Sequence, residues 1–254
     1  VDTYNIDPES IKKNLSSRTK AIMAVDIFGQ SSDMDAIMKI AKDNNLKVIS
    51  DTAQAPGALI NGKFSGTLAD VGGYSLNYHK HIHTGEGGIL VTDDDDIAER
   101  LQLIRNHAEV VVEGKGVTNI VNMVGHNFRL GEIECAMGIE QLKKLEKLVS
   151  SRQTLARLLT EGLKNLEGLK TPIEIANGTH VYYMYAMQLD LNILPVSREK
   201  IVEALNAEGL AISDKYQNIH LLPMYQQKIA FGSKGFPWTA NFCERDVSYK
   251  KGIC

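Results

Sequence analysis

Residues 51–88 read DTAQAPGALINGKFSGTLADVGGYSLNYHKHIHTGEGG. Asp51 closes the apolar run LKVIS (46–50), which has the length and content of a buried strand. Lys80 stands 29 residues later, among serine, asparagine, tyrosine and three histidines, just ahead of a glycine-rich turn. An acid at a strand end and a lysine on a nearby polar loop are what a pyridine cofactor held as an imine requires. The carboxylate keeps the ring nitrogen protonated and the amine makes the Schiff base.

Upstream of this stretch, strand-like and helix-like signals alternate. Asp7-Pro8-Glu9-Ser10 opens a short helix, with proline where a first turn tolerates it. AIMAVDIF (21–28) has strand length. Ser32 or Asp33 caps a helix whose apolar positions Met34, Ile37, Met38 and Ala41 share one face. Downstream, DVGGYSL (70–76) and GGILVT (87–92) read as strands, and Asp93 to Asp96 open a helix over 94–106. Such alternation predicts a mostly parallel, helix-covered sheet. Chemistry in such sheets sits at the carboxyl ends of strands.

The second half changes character. Residues 129–166 carry one long helical pattern, HVYYMYAMQLD (180–190) alternates like a strand, and SREKIVEALNAEG (197–209) reads as a capped helix. The expected division is 1–130 for a large α/β domain and 131–254 for the connecting helix and a smaller α+β domain. Both chain ends read as cuts through a longer protein.

Each site residue has a bland reading beside the chemical one. Asp51 alone would be a turn cap, but Gln54 and the Pro56-Gly57 turn follow it. Lys80 alone would be a solvated charge. Basic neighbours without acids to pair lower an amine's pKa and make it a nucleophile. Ser75, five residues earlier, offers a hydroxyl to a phosphate or to a turn. The segment Thr84–Gly88 lacks dinucleotide-fingerprint spacing and turns the chain into the next strand. His79, His81 and His83 would share one face of a strand and bind zinc there, which makes a zinc-dependent hydrolase the sharpest rival. No carboxylate stands at ligand spacing, and the glycines favour a loop. Asn127 and Arg129, in GHNFRL before a helix, are candidate phosphate donors. His180 is a candidate substrate contact.

Composition bounds the rest. The chain has 254 residues with net charge -3, so neither nucleic acid nor an anionic membrane surface is an expected partner. No apolar run approaches the ~18 residues of a membrane span. Three scattered cysteines point to a reducing, cytoplasmic setting, with Cys135 a buried small residue in a helix.

Taken together, D-x-A-Q-A-x-G-A from Asp51, Y-S-L-N-x-x-K to Lys80 and T-G-E-G-G after it resemble the DegT/DnrJ/EryC1/StrS aminotransferases. The likeness runs from TYNIDPESI through GHNFRLGEIECAMG (125–138) to HLLPMY (220–225). It implies the aspartate aminotransferase-like fold type I of pyridoxal 5'-phosphate (PLP) transferases, and roles at matching positions. Asp51 would pair with the pyridinium nitrogen and Gln54 lie near the phenolic oxygen. Ser75 would bind phosphate, Lys80 form the Schiff base, and Asn127 reach the phosphate of a neighbouring subunit in a homodimer with shared active sites. The implied reaction moves an amino group, from glutamate, to a keto group of a nucleotide-linked sugar or a cyclitol. One branch of the family, a ketosugar dehydratase, has histidine at the lysine position; here the lysine is kept. A catalytically silent regulatory member is the other alternative. The chain departs from the family in lacking the segment that precedes its start, and in Asp26, where many relatives carry histidine.

Overall fold

The computed structural model describes residues 2–109, 123–214, 216–244 and 246–252. The chain gathers into two compact units, Val1–Asp190 and Leu191–Cys254. The sequence-based division at residue 130 falls inside the first of them.

The first unit begins with α1 (Pro8–Asn14), where the Asp7 carboxylate accepts the amides of Glu9 and Ser10. Strand β1 (Ala21–Val25) follows, then α2 (Met34–Asp43), capped by Asp33, and β2 (Lys47–Asp51). A small hairpin of β3 (Leu59–Ile60) and β4 (Lys63–Phe64) leads to β5 (Val71–Ser75) and β6 (Gly88–Val91). Helices α3 (Asp95–Arg105), α4 (Glu132–Leu142) and α5 (Leu145–Leu163) come next, and β7 (Leu169–Lys170) pairs with β8 (Gln188–Leu189). The central sheet has the order β1-β2-β5-β6; its first three strands are parallel and β6 runs antiparallel to β5.

Burial alternates along β1, so Ile22 and Ala24 face α2 while Met23 and Val25 face away, as a pleated strand with period two dictates. Ile22, Ala24 and Val48 meet Met34, Ile37, Ile40 and Ala41 of α2 in the main core. A second cluster joins Ala55 and Ala58, just after Asp51, to Val149 of α5 and to Val181. Helix α5 thereby braces the loop that leaves β2. On β5, Gly72 is required, because a Cβ there would lie 1.9 Å from the carbonyl oxygen of Gly66.

In four places the structure departs from the sequence reading. The strand expected over 21–28 stops at Val25, because Asp26 turns inward and residues 27–29 form a short 3-10 turn. The long helix over 129–166 is two helices, broken at Lys143–Lys144. Of the strand expected over 180–190 only Gln188–Leu189 forms, since Tyr182 adopts a left-handed φ of 51°. Cys135 is exposed rather than buried. Its helix α4 leaves Ile133, Ile139 and Leu142 at 75%, 61% and 60% exposure, so apolar periodicity there does not mark a core within this unit.

The second unit holds α6 (Arg198–Ala207), capped by the Ser197 hydroxyl, and the short α7 (Pro223–Gln227). Trp238 donates its indole N–H to the Tyr249 hydroxyl at 3.0 Å, and Tyr225 packs against both rings.

Candidate functional site

The parallel pairing of β2 with β5 sets Asp51 opposite Gly73, so the carboxyl ends of both strands lie side by side. Asp51 ends one and Ser75 ends the other. The Asp51 Oδ1 accepts the Ala53 amide at 3.1 Å, closing a turn that redirects the chain toward α5. The residues flanking it, Ser50 and Thr52, point to the other face of the strand. There Ser50 Oγ and Thr52 Oγ1 donate to Asp26 Oδ2 at 3.0 and 2.8 Å, and the Ser32 amide donates to Asp26 Oδ1 at 2.8 Å. Burial raises the Asp26 carboxyl above the usual range, and these three bonds pull against that rise. Asp26 thus locks the end of β2 from behind.

After β5 the chain makes a tight loop. Leu76 takes the carbonyl of Gly87 at 2.8 Å and Thr84 the carbonyl of Leu76 at 3.0 Å, while the Lys80 amide donates to Asn77 at 3.0 Å. Lys80 therefore sits on a closed loop at the strand end. Burial lowers the pKa of its amine, and the nearby negative charge of Asp51 partly offsets that fall. The Lys80 Nζ lies 4.7 Å from the centroid of the Tyr183 ring. Ser75 Oγ accepts the Asn77 amide at 3.2 Å, a bond that leaves its own O–H uncommitted.

Gln54 is buried and its Oε1 accepts the Phe28 amide at 2.8 Å, tying the loop after β2 to the loop after β1. Asn127 lies elsewhere on this unit, on an exposed segment bridged to Asn106 at the end of α3. Arg129 donates to the Asn106 side chain at 2.6 Å. Asp51, Ser75 and Lys80 are thus brought together and Gln54 joins the same loops, whereas Asn127 faces outward.

The three histidines do not form the strand face that zinc requires. His79 lies in a turn, His81 in a bend and His83 in irregular chain, and His81 is buried with Nε2 against the Val181 carbonyl at 2.9 Å. Among the described residues no group of three or more His, Cys, Asp or Glu side chains is placed to hold a metal ion. His180 is 2% exposed, accepts the Tyr182 amide on Nδ1 at 2.9 Å and stacks on the Tyr182 ring at 4.1 Å, so it supports the chain locally.

Sequence reasoning passed over two participants. One is the Asp26 network, whose signal is the S-D-T pattern at 50–52, short hydroxyl residues flanking an acid at a buried strand end. The other is Tyr183, read only as part of an amphipathic strand.

The donor set fits a pyridoxal-type cofactor. The Asp51 carboxylate acts on the partly buried Lys80 amine, and the Ser75 hydroxyl ends the strand beside that of Asp51. The buried Nδ1 of His81, next to Lys80, has no hydrogen-bond partner among the described residues.

The chain is 34% identical to a GDP-perosamine synthase of Caulobacter vibrioides over 228 residues, 88% of this chain and 59% of that protein. It superposes on Helicobacter pylori PseC, an aminotransferase involved in the biosynthesis of pseudoaminic acid, with TM-score 0.80 and 28% identity, covering 92% of this chain and 63% of the other. It superposes on the E. coli GDP-4-keto-6-deoxy-D-mannose-3-dehydratase with bound hydrated PLP at TM-score 0.72 and 32% identity, covering 82% of this chain and 56% of the other. The chain spans less than two thirds of the length of these proteins. Its α/β fold, with a mixed but mostly parallel sheet, is the fold type I that the sequence led us to expect. The model of the DegT/DnrJ/EryC1/StrS aminotransferase family matches residues 1–250, and the chain belongs to that family.

Proposed function

We propose that this chain carries the lysine side of a PLP-dependent aminotransferase that moves an amino group, from glutamate, onto a keto group of a nucleotide-linked sugar. One observation carries the reading: the desolvated Lys80 amine lies under the influence of the Asp51 carboxylate at adjoining strand ends. The names of the relatives support the acceptor class, among them GDP-perosamine synthase and a dTDP-3-amino-3,6-dideoxy-alpha-D-galactopyranose transaminase, 38% identical over 190 residues. Residues 1–130 would then belong to the cofactor-binding large domain and 131–254 to the connecting helices and small domain.

Bound here, the cofactor supplies a cationic ring that takes up negative charge from the carbon losing its proton. Asp51 would hold a proton on the ring nitrogen by its charge. Ser75 would donate to the phosphate, and Gln54, fixed through the Phe28 amide, would orient the ring. Lys80 would anchor the cofactor and, as a free amine, would accept the proton from the donor carbon. Burial lowers the pKa of that amine and so favours its neutral, proton-accepting form.

The exposed Asn127 and the apolar residues on α4 support a homodimer in which the partner subunit's Asn127 completes the phosphate contacts. The scattered cysteines support a cytoplasmic setting. No helix among the described residues is long and apolar enough to cross a membrane.

The test is an absorbance spectrum of the cofactor-incubated protein, before and after borohydride, with peptide mapping. A reduced adduct on Lys80 that is lost in Lys80→Ala is expected. An adduct elsewhere, or none, overturns the assignment.

A further inference from the structure

Three backbone positions with positive φ lie in the two segments that meet at Tyr183. Phe28 has φ 59°, Gly29 φ 115° and Tyr182 φ 51°. Residues without a positive-φ preference hold such angles only where surrounding contacts enforce them. The contacts here are specific. Val181 donates its amide to the Gly29 carbonyl at 2.7 Å, and Met184 donates to Phe28 at 3.2 Å. A Cβ on Gly29 would lie 2.8 Å from the Tyr183 nitrogen, so only glycine lets the two segments come this close. From the other side, Arg152 donates to the Tyr182 carbonyl at 2.9 Å and Gln153 to the His180 carbonyl at 3.1 Å.

The left-handed turn at Tyr182 sends consecutive rings in different directions. Tyr182 stacks on His180 and donates its hydroxyl to Glu174 at 3.0 Å. Tyr183 turns to the lysine loop, where its ring meets His79 at 6.4 Å, His81 at 6.0 Å and the Lys80 Nζ at 4.7 Å. The bond between His81 Nε2 and the Val181 carbonyl, at 2.9 Å, ties the two loops together on either side of that contact. The backbone is thus bent, at a cost, to lay one aromatic face against one amine.

We propose that Tyr183 is a positioning residue for Lys80: its ring face holds the free, protonated amine at the strand ends, and the His81–Val181 bond keeps the ring in place. The assignment rests on the reading of Lys80 as the reactive lysine. A cation over an aromatic face is stabilised by the ring quadrupole. Tyr183 therefore opposes the burial that lowers the amine's pKa, and it works alongside the Asp51 carboxylate. Beside it, burial lowers the pKa of the His81 imidazole, the Val181 carbonyl bond pulls against that fall, and the Arg152 and Lys80 charges add to it. The ring fixes where the amine waits and how strongly it keeps its proton.

The test uses cofactor-free protein and acetic anhydride. The acetylation rate of Lys80 is followed against pH by peptide mapping, relative to the exposed Lys63. Tyr183→Phe keeps the ring and should reproduce the wild-type profile. Tyr183→Leu keeps apolar cover but removes the π face, so the profile should move to lower pH. The Lys80 rate near pH 8 should then rise about fivefold. Tyr183→Met serves the same purpose should the leucine variant fold poorly, with circular dichroism as the check. A leucine or methionine profile that coincides with wild type overturns the proposal, and so does a phenylalanine profile that matches leucine. Failure of the aminotransferase reading shows separately, as absence of the borohydride adduct in the wild-type protein.

Discussion

Thr52 donates its hydroxyl to the buried carboxylate of Asp26 at 2.8 Å, from the strand end that carries Asp51. Because side chains alternate across a strand, the bond fastens Asp51 by its neighbour rather than by itself. Removing the carboxylate strands the Ser32 amide and two hydroxyls in a buried place. Asp26→Ala should therefore cost about 2–4 kcal/mol. Asp26→Asn still offers an acceptor to Ser32 and should cost less. Denaturant titration of the two variants checks the order; equal losses would mean that the network contributes only volume.

Stability should fall in mild acid through His180. Burial, helped by the His81 charge, lowers its pKa from 6.5 to about 4. The unfolded chain takes a proton below about 6.5 and the folded chain only below about 4. The contribution is complete above the first value and drains as pH falls toward the second. It amounts to at most ~3 kcal/mol. His81, lowered in the same direction, adds to the slope. His180→Asn keeps an acceptor for the Tyr182 amide and should flatten the melting temperature between pH 6.5 and 4. A slope unchanged in that variant would assign the acid sensitivity to other groups.

The local part of this site was legible from sequence. LKVIS followed by an acid, and a serine five residues before a lysine, are patterns carried within a few residues, and strand pairing sets the ends that carry Asp51 and Ser75 side by side. What stayed hidden depends on distant partners. Tyr183 reaches Lys80 because Gly29 and Tyr182 adopt unusual angles that period-two reading cannot register. The strand over 21–28 was read too long because Asp26 is held by residues 24 and 26 positions away, not by its neighbours. Cys135 was read as buried because helical periodicity reports an apolar face without saying what covers it.

Gly29 should tolerate no side chain. Its φ of 115° disfavours any L-residue, and a Cβ would press on the Tyr182 and Tyr183 amides at 2.9 and 2.8 Å. Gly29→Ala is expected to lose about 2–4 kcal/mol. It should also displace Tyr183 from Lys80, so Lys80 in this variant should be acetylated with the profile of Tyr183→Leu. A destabilised protein whose Lys80 profile stays wild-type would separate the two effects and show that the segments part elsewhere.

The exposed apolar residues of α4 make the last case. Ile133 and Ile139 are 75% and 61% exposed, and the exposed Asn127 lies just ahead of them in the chain. Exposed side chains contribute little to the fold of one chain, so charges placed there should leave thermal stability within about 0.5 kcal/mol. In a homodimer that buries this face, the same charges must be desolvated without partners. Ile133→Glu with Ile139→Glu should weaken self-association about 100-fold, which is ~2.7 kcal/mol. Sedimentation equilibrium reads the result directly. A wild-type monomer, or a double variant that associates as tightly as wild type, would move the subunit contact away from α4.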